Sequence, residues 1–478
     1  MNNPIGNGRP MSAPIPPLVD FSDSIGPMVV KELRQGLRTR AFTWAFLFIQ
    51  ALLLLFMLSG FSETNDSRNT AGSFWLLLEL ALLIVMPFRG LNALHTEVRL
   101  NTMELISLTR MSAWRITVGK WLALVSQSVL LAIAVMPYIV LRYFFGGMNV
   151  IEELVLLFVV IGLSALLTAL MVGLSVVSNF LIRCFFTVPV VISIFSFMGG
   201  SIALVTGGSG GPRFNLGGWV WLWAIPTAIF LGYYLLGMAA SRIASQAVNY
   251  VTIRRVAGFI VFVVSVVLAH LQSTPGYLFL PFFFFTLLGL DALSEHPATV
   301  QSVYLPFRRS ALTRPLEYLL APGWFSGTYF VLLLAAILGI AGVVLPDVWS
   351  DSGTESMGLV LGFTASALLP LAIMLLSRPG HPQPIVSYCL ITIFMGSVSA
   401  VIFRFVEDGD IAPIAWLAMI LPPVATFVTI NHSVEPRDML TAQGFLVVTI
   451  LLSVAVVIRK WGKVRTAMEQ AQREDLVP

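Results

Sequence analysis

Charge is scarce in this chain, and the scarcity excludes more than any motif does. Only 11% of its 478 residues are Asp, Glu, Lys or Arg, while 57% are hydrophobic and mean hydropathy is +0.88. A water-soluble protein of this length needs far more polar surface to cover its core. Cysteine is rare as well: Cys184 and Cys389 both fall at or within apolar runs, so no disulfide framework is implied. The histidines (His95, His270, His296, His381 and His432) are scattered over different loops and ends, and no H-E-x-x-H occurs, so no metal centre is expected. The phosphate-cradling form G-x-x-x-x-G-K-[ST] is missing; Gly119–Lys120 leads into Trp121 without the upstream glycine. The chain is therefore expected to be no enzyme and to bind no cofactor of its own.

What the chain has instead is apolar runs of about 20 residues from end to end, each long enough to cross a hydrocarbon layer of roughly 30 Å. An all-α polytopic membrane protein follows. Residues 1–27 are rich in Pro, Gly and Ser and read as a flexible tail, because the first apolar run starts only near Ala41. Spans are expected at Ala41–Ser59, Ser73–Phe88, Trp121–Leu141, Leu154–Val176, Phe185–Val205 and Trp219–Ala239. A second series follows at Val256–Leu271, Tyr277–Leu290, Thr328–Leu345, Gly358–Leu376, Ile385–Val406 and Phe445–Ile458. One more apolar run, 411–430, holds Pro413 and the pair Pro422–Pro423, and reads as re-entrant or interfacial. With twelve spans, every Lys and Arg except Arg68, Arg142, Arg213, Arg404 and Arg437 lies on the cytoplasmic side. A thirteenth crossing would move Arg459, Lys460, Lys463, Arg465 and Arg473 outside, so the positive-inside bias favours twelve, with both termini cytoplasmic.

The twelve-span layout repeats itself. Each half runs as two spans, a cytoplasmic segment, three spans, an outer excursion and a final span. The expected division is a six-span domain over 28–243 and a second over 244–460, closed by a cytoplasmic tail at 461–478. No residue-by-residue match accompanies the layout, so duplication rests on order alone.

Two stretches stand at the cytoplasmic boundary of the first half. In Met28–Arg40, apolar Val29, Val30, Leu33 and Leu37 recur at helical spacing opposite Lys31, Arg34, Arg38 and Arg40. That pattern suits a helix in the headgroup plane, or a plain basic anchor before a span. The segment 94–120 (LHTEVRLNTMELISLTRMSAWRITVGK) reads as a short surface helix, a turn, and a helix that starts on Ser112 as N-cap and enters the membrane at Trp121. Within the spans, Glu79 is the one acidic residue deep in the first half. It is either a pathway group or a protonated carboxyl bonded to a neighbouring helix.

These stretches carry a resemblance. Pro27-Met28-Val29-Val30-Lys31-Glu32-Leu33-Arg34 resembles the N-P-x-x-x-K-E-L-R element of permease subunits of type-2 ATP-binding-cassette (ABC) exporters. Thr96-Glu97-Val98-Arg99, Thr102-Met103-Glu104-Leu105, Thr109, Ser112 and Gly119-Lys120 look like the coupling segment of that family. Gly26 in place of Asn and Arg110 where Pro often stands depart from its pattern. The likeness covers roughly 26–243. It implies a bacterial inner-membrane exporter permease whose coupling helix contacts a cytoplasmic ABC ATPase dimer through Glu97, Arg99, Thr102, Glu104, Leu105 and Thr109. ATP would be used by that partner subunit. Permease domains would pair as a homo- or pseudo-dimer, in contact with membrane lipid and with no nucleic acid. Two other readings stay open: an ion-coupled carrier using Glu79 and Arg404, and a membrane-embedded transferase using the outer acids Glu407, Asp408 and Asp410.

Overall fold

The computed structural model describes residues 27–62, 67–95, 112–144, 150–177, 180–206, 220–244, 248–272, 279–298, 300–310, 313–344, 353–377, 384–407, 418–430 and 436–473. Every element among them is helical. In chain order these are α1 (Pro27–Leu37), α2 (Arg40–Ser62), α3 (Ser67–Glu79), α4 (Ala113–Phe144), α5 (Val150–Ser175), α6 (Phe180–Thr206), α7 (Val220–Ile243) and α8 (Val251–Gln272). There follow α9 (Phe279–Ser294), the short α10 (Leu305–Arg308) and α11 (Arg314–Leu320), then α12 (Trp324–Val344), α13 (Gly353–Ser377), α14 (Pro384–Glu407), α15 (Pro422–Ile430) and α16 (Pro436–Arg473).

Ten of the described helices are long and apolar enough to cross a membrane. The chain is thus an integral, multi-pass α-helical membrane protein. α2 joins them as an eleventh if the pair α1–α2, bent by 62°, is one span. The expected span at α9 is shorter, with only 16 residues. The nine residues of α15 rise about 13.5 Å, less than half of a hydrocarbon layer of roughly 30 Å.

Burial sorts the helices into two main cores. One joins α2 to α6 around Trp75, Leu78, Leu82, Leu131, Val160 and Met198. The larger joins α7, α8, α9, α12, α13 and α14 around Tyr234, Phe262, Phe284, Phe330 and Leu371. Phe284 and Phe285 of the Phe282–Phe285 run belong to this core. Outward faces remain apolar: Phe158, Ile192, Phe394 and Leu452 are all more than 60% exposed, which suits contact with lipid and not with water.

α3 does not end cleanly. After Glu79 the backbone widens into a π-helix over Leu80–Val85, and Met86 N–H reaches back five residues to the Ala81 carbonyl. In that register the next donor would be Pro87, which has no N–H to give to Leu82. The Ser164 hydroxyl on α5 fills the gap by donating to the Leu82 carbonyl at 2.6 Å. The chain then tightens through a 3-10 turn at Arg89–Asn92.

Candidate functional site: a helix junction and two buried polar clusters

The first candidate is the junction where α1, the end of the α3 segment and the start of α4 meet. Ser112 caps α4, its hydroxyl accepting the Arg115 N–H at 3.3 Å, as the sequence pattern predicts. One turn further on, Gly119 lets α1 approach closely: a methyl group there would lie 3.1 Å from Met28 Cγ. Met28 packs in turn with Leu94, Ile116, Val172 and Ala239. Lys120, only 6% exposed, donates to Glu32 on α1 at 3.2 Å. Arg89 donates to Gln127 Oε1 at 2.5 Å and lies 5.3 Å over the Phe42 ring. Trp114 leans on Tyr233 of α7 at 5.3 Å between ring centres.

This junction frames the segment that the resemblance singles out. Leu94, fully buried, precedes it and Ser112 follows it. Glu97, Arg99, Thr102, Glu104, Leu105 and Thr109 themselves lie outside the described residues. Asp408 and Asp410 lie outside them as well, as do the side chains of Arg404 and Glu407.

The second candidate surrounds Glu79, which is fully buried. Neither of its carboxylate oxygens has a hydrogen-bond partner. On α6, which packs against α3, the buried Ser201 hydroxyl donates to the Met198 carbonyl at 2.9 Å. One turn back along α3, the buried Trp75 indole N–H is left without a hydrogen-bond partner among the described residues. Glu153 pairs with Arg142 of α4 at 3.1 Å, and that guanidinium sits 4.5 Å over the Phe74 ring.

The third is a cluster around Arg254 and Arg255, which stand just ahead of the expected span at Val256. Arg254 on α8 holds Asp291 on α9 through both carboxylate oxygens, Nε to Oδ2 at 2.9 Å and Nη2 to Oδ1 at 3.1 Å. Tyr234 on α7 donates to Asp291 Oδ2 at 2.6 Å. Glu295 takes Arg254 on one oxygen and Arg255 on the other, the latter at 2.7 Å. Arg255 also donates to the Leu319 and Ala321 carbonyls and to Ser326 Oγ, closing the end of α11. It reaches the Gly323 carbonyl at 3.1 Å as well, where φ of +126° makes a turn that favours glycine. Arg242 of α7 donates to Ser294 at 2.8 Å. Outside the spans, burial and then the Arg242 charge push the His296 imidazole below its ordinary value.

The signal for this cluster was present in the sequence: Asp291 and Glu295 stand four apart at the end of an apolar run, facing the Arg254–Arg255 pair at the start of the preceding one. Every acid in it has a cationic partner, which reads as a structural clasp. Among the described residues no group of three or more His, Cys, Asp or Glu side chains could hold a metal ion. In comparisons with known proteins, no family model, no curated protein and no solved structure matches the chain.

Proposed function

We propose that this chain is the membrane-spanning permease subunit of an ATP-driven ABC exporter, energised by a separate cytoplasmic ATPase. The observation that supports this best is the junction of α1 and α4. A partner can work a membrane helix from outside only through an element stiffly joined to it. The 96–111 segment begins and ends at such an element, with Lys120–Glu32 and Gly119–Met28 fastening α4 to α1. On this reading Glu97, Arg99, Thr102, Glu104, Leu105 and Thr109 form or brace the ATPase contact, and ATP is bound by the partner alone. The bent α2 and the short α9 count as crossings beside the ten long helices, which gives twelve spans in two halves. Both termini and the 94–120 segment then lie in the cytoplasm of a bacterial inner-membrane protein.

The test is co-expression of the full chain with an ATPase encoded beside its gene. Glu104→Lys should leave the permease inserted and monodisperse but lower recovery of the complex and its transport-linked ATP hydrolysis by tenfold or more. An undiminished, fully active complex carrying that change would overturn the reading. The fully buried Glu79 favours a second reading, an ion-coupled carrier. Transport that persists in vesicles without any ATPase would select it.

A further inference from the structure

Residues 295–323 join α9 to α12 as a folded elbow whose two faces differ in chemistry. Inward, Val303, Tyr304 and Phe307 are buried in the larger core, and Tyr318 leans on Tyr329 of α12 at 6.1 Å between ring centres. The Thr313 hydroxyl donates to the Phe307 carbonyl at 2.8 Å, which ties α10 to the start of α11. A methyl group on Gly323 would lie 3.1 Å from Pro297 Cα, so the two ends of the elbow meet.

The outward face is basic and apolar together. Leu305 is 58% exposed and Leu316 40%, and Arg308, Arg309 and Arg314 are exposed with them. The elbow holds two acids, and both are taken: Glu295 by Arg254 and Arg255 of the clasp, and Glu317 by Arg308 at 3.3 Å. Arg309 and Arg314 have no ion pair among the described residues. Two guanidiniums therefore stand unanswered on a surface that also presents leucine.

The depth of that surface follows from what holds it. The Thr252 hydroxyl donates to the Leu320 carbonyl at 2.9 Å, and Thr252 is the second residue of the α8 span, which starts at Val251. Arg255 holds the Leu319 and Ala321 carbonyls from the same turn of α8. On the other side, the α12 span starts at Trp324, just after the elbow. α11 thus lies level with the ends of two spans, where hydrocarbon gives way to headgroups. At that level leucines enter the acyl region, and arginines reach back to the phosphates. A zwitterionic headgroup brings a cation of its own beside its phosphate. Two unanswered positive charges are met only by a headgroup with a net negative charge.

We propose that Arg309 and Arg314, with Leu305 and Leu316, form a binding site for an anionic phospholipid. Its seat is fixed, because the clasp residue Arg255 fastens α11 to α8. The site does not rest on the ATPase reading: either can fail while the other stands.

The experiment uses the full chain in detergent with phosphatidylglycerol or phosphatidylcholine, each carrying the same photoreactive group at the top of its acyl chain. Mass mapping should find adducts within 300–320 from phosphatidylglycerol and few from phosphatidylcholine. Each arginine at an anionic surface is worth roughly fivefold in affinity. Arg309→Gln with Arg314→Gln should therefore lower the adduct on this segment tenfold or more while labelling elsewhere in the chain stays unchanged, which shows the fold intact. Glu317→Gln should act in the opposite direction and raise the adduct, because it removes the acid that answers Arg308. Equal labelling by the two lipids, or an undiminished adduct in the double variant, would overturn the proposal. A segment untouched by either lipid would overturn it too and leave the arginines to an acidic protein surface.

Discussion

At the scale of single residues, the ionic clasp shows how a membrane protein keeps charge inside. Moving a lone guanidinium or carboxylate out of water costs several kcal/mol even after the surroundings relax, and removing one partner of a buried pair typically costs about 3–5 kcal/mol. Asp291→Asn takes away the charge that answers Arg254 on two oxygens while keeping the shape. It should lower the thermal unfolding midpoint markedly in detergent. Replacing Arg254 and Asp291 together with Met and Leu should recover most of that loss, because no charge is then left unanswered. The clasp was legible as four charged letters, Arg254, Arg255, Asp291 and Glu295, yet not as a cluster. Their meeting depends on how α8 and α9 cross, which no local pattern records. Glu79 was legible as an anomaly, because one acid in an apolar run announces its own cost.

Among elements, close approach is decided by what lies opposite a missing side chain. Gly119 faces the Met28 side chain, with an added methyl 3.1 Å from its Cγ, whereas Gly327 on α12 faces the Ala292 carbonyl more closely, and that is backbone. Overpacking of this kind costs about 1–3 kcal/mol, and backbone yields less readily than a side chain. Gly327→Ala should therefore destabilise the chain clearly more than Gly119→Ala, as unfolding midpoints in detergent would read. The start of α4 was fully readable in advance, since Ser112 offers the capping oxygen and the apolar run follows it. The π-helix was not, because its register is set by a proline seven residues beyond its first residue and by a serine on another helix. A similar limit applied to α15, where the proline pair announced an interruption but not how little helix would follow.

For the whole molecule, composition alone settled that the chain lives in a membrane. The number of crossings turns on two helices: α2, which follows α1 at a bend of 62°, and α9, which has only 16 residues. The last helix offers the cleanest measurement. At 38 residues α16 is about 57 Å long, while its membrane-competent part is Arg437–Lys460. The remainder, residues 461–473, continues as helix past that part. In a chain with Cys184 and Cys389 replaced by alanine, single cysteines at Arg38 and Gly462 should react with an impermeant maleimide from the same side. Reaction from opposite sides would establish an odd number of crossings.

The clasp also bears on the order in which the chain is made. Arg254 leaves the ribosome 37 residues ahead of Asp291, which at ordinary elongation rates is an interval of about 2–7 s. Through that interval two guanidiniums exist with no carboxylate to meet them, and headgroup phosphates are the anions within reach. α8 should therefore reach its final depth only together with α9, as crosslinks between the two helices in stalled nascent chains of increasing length would read.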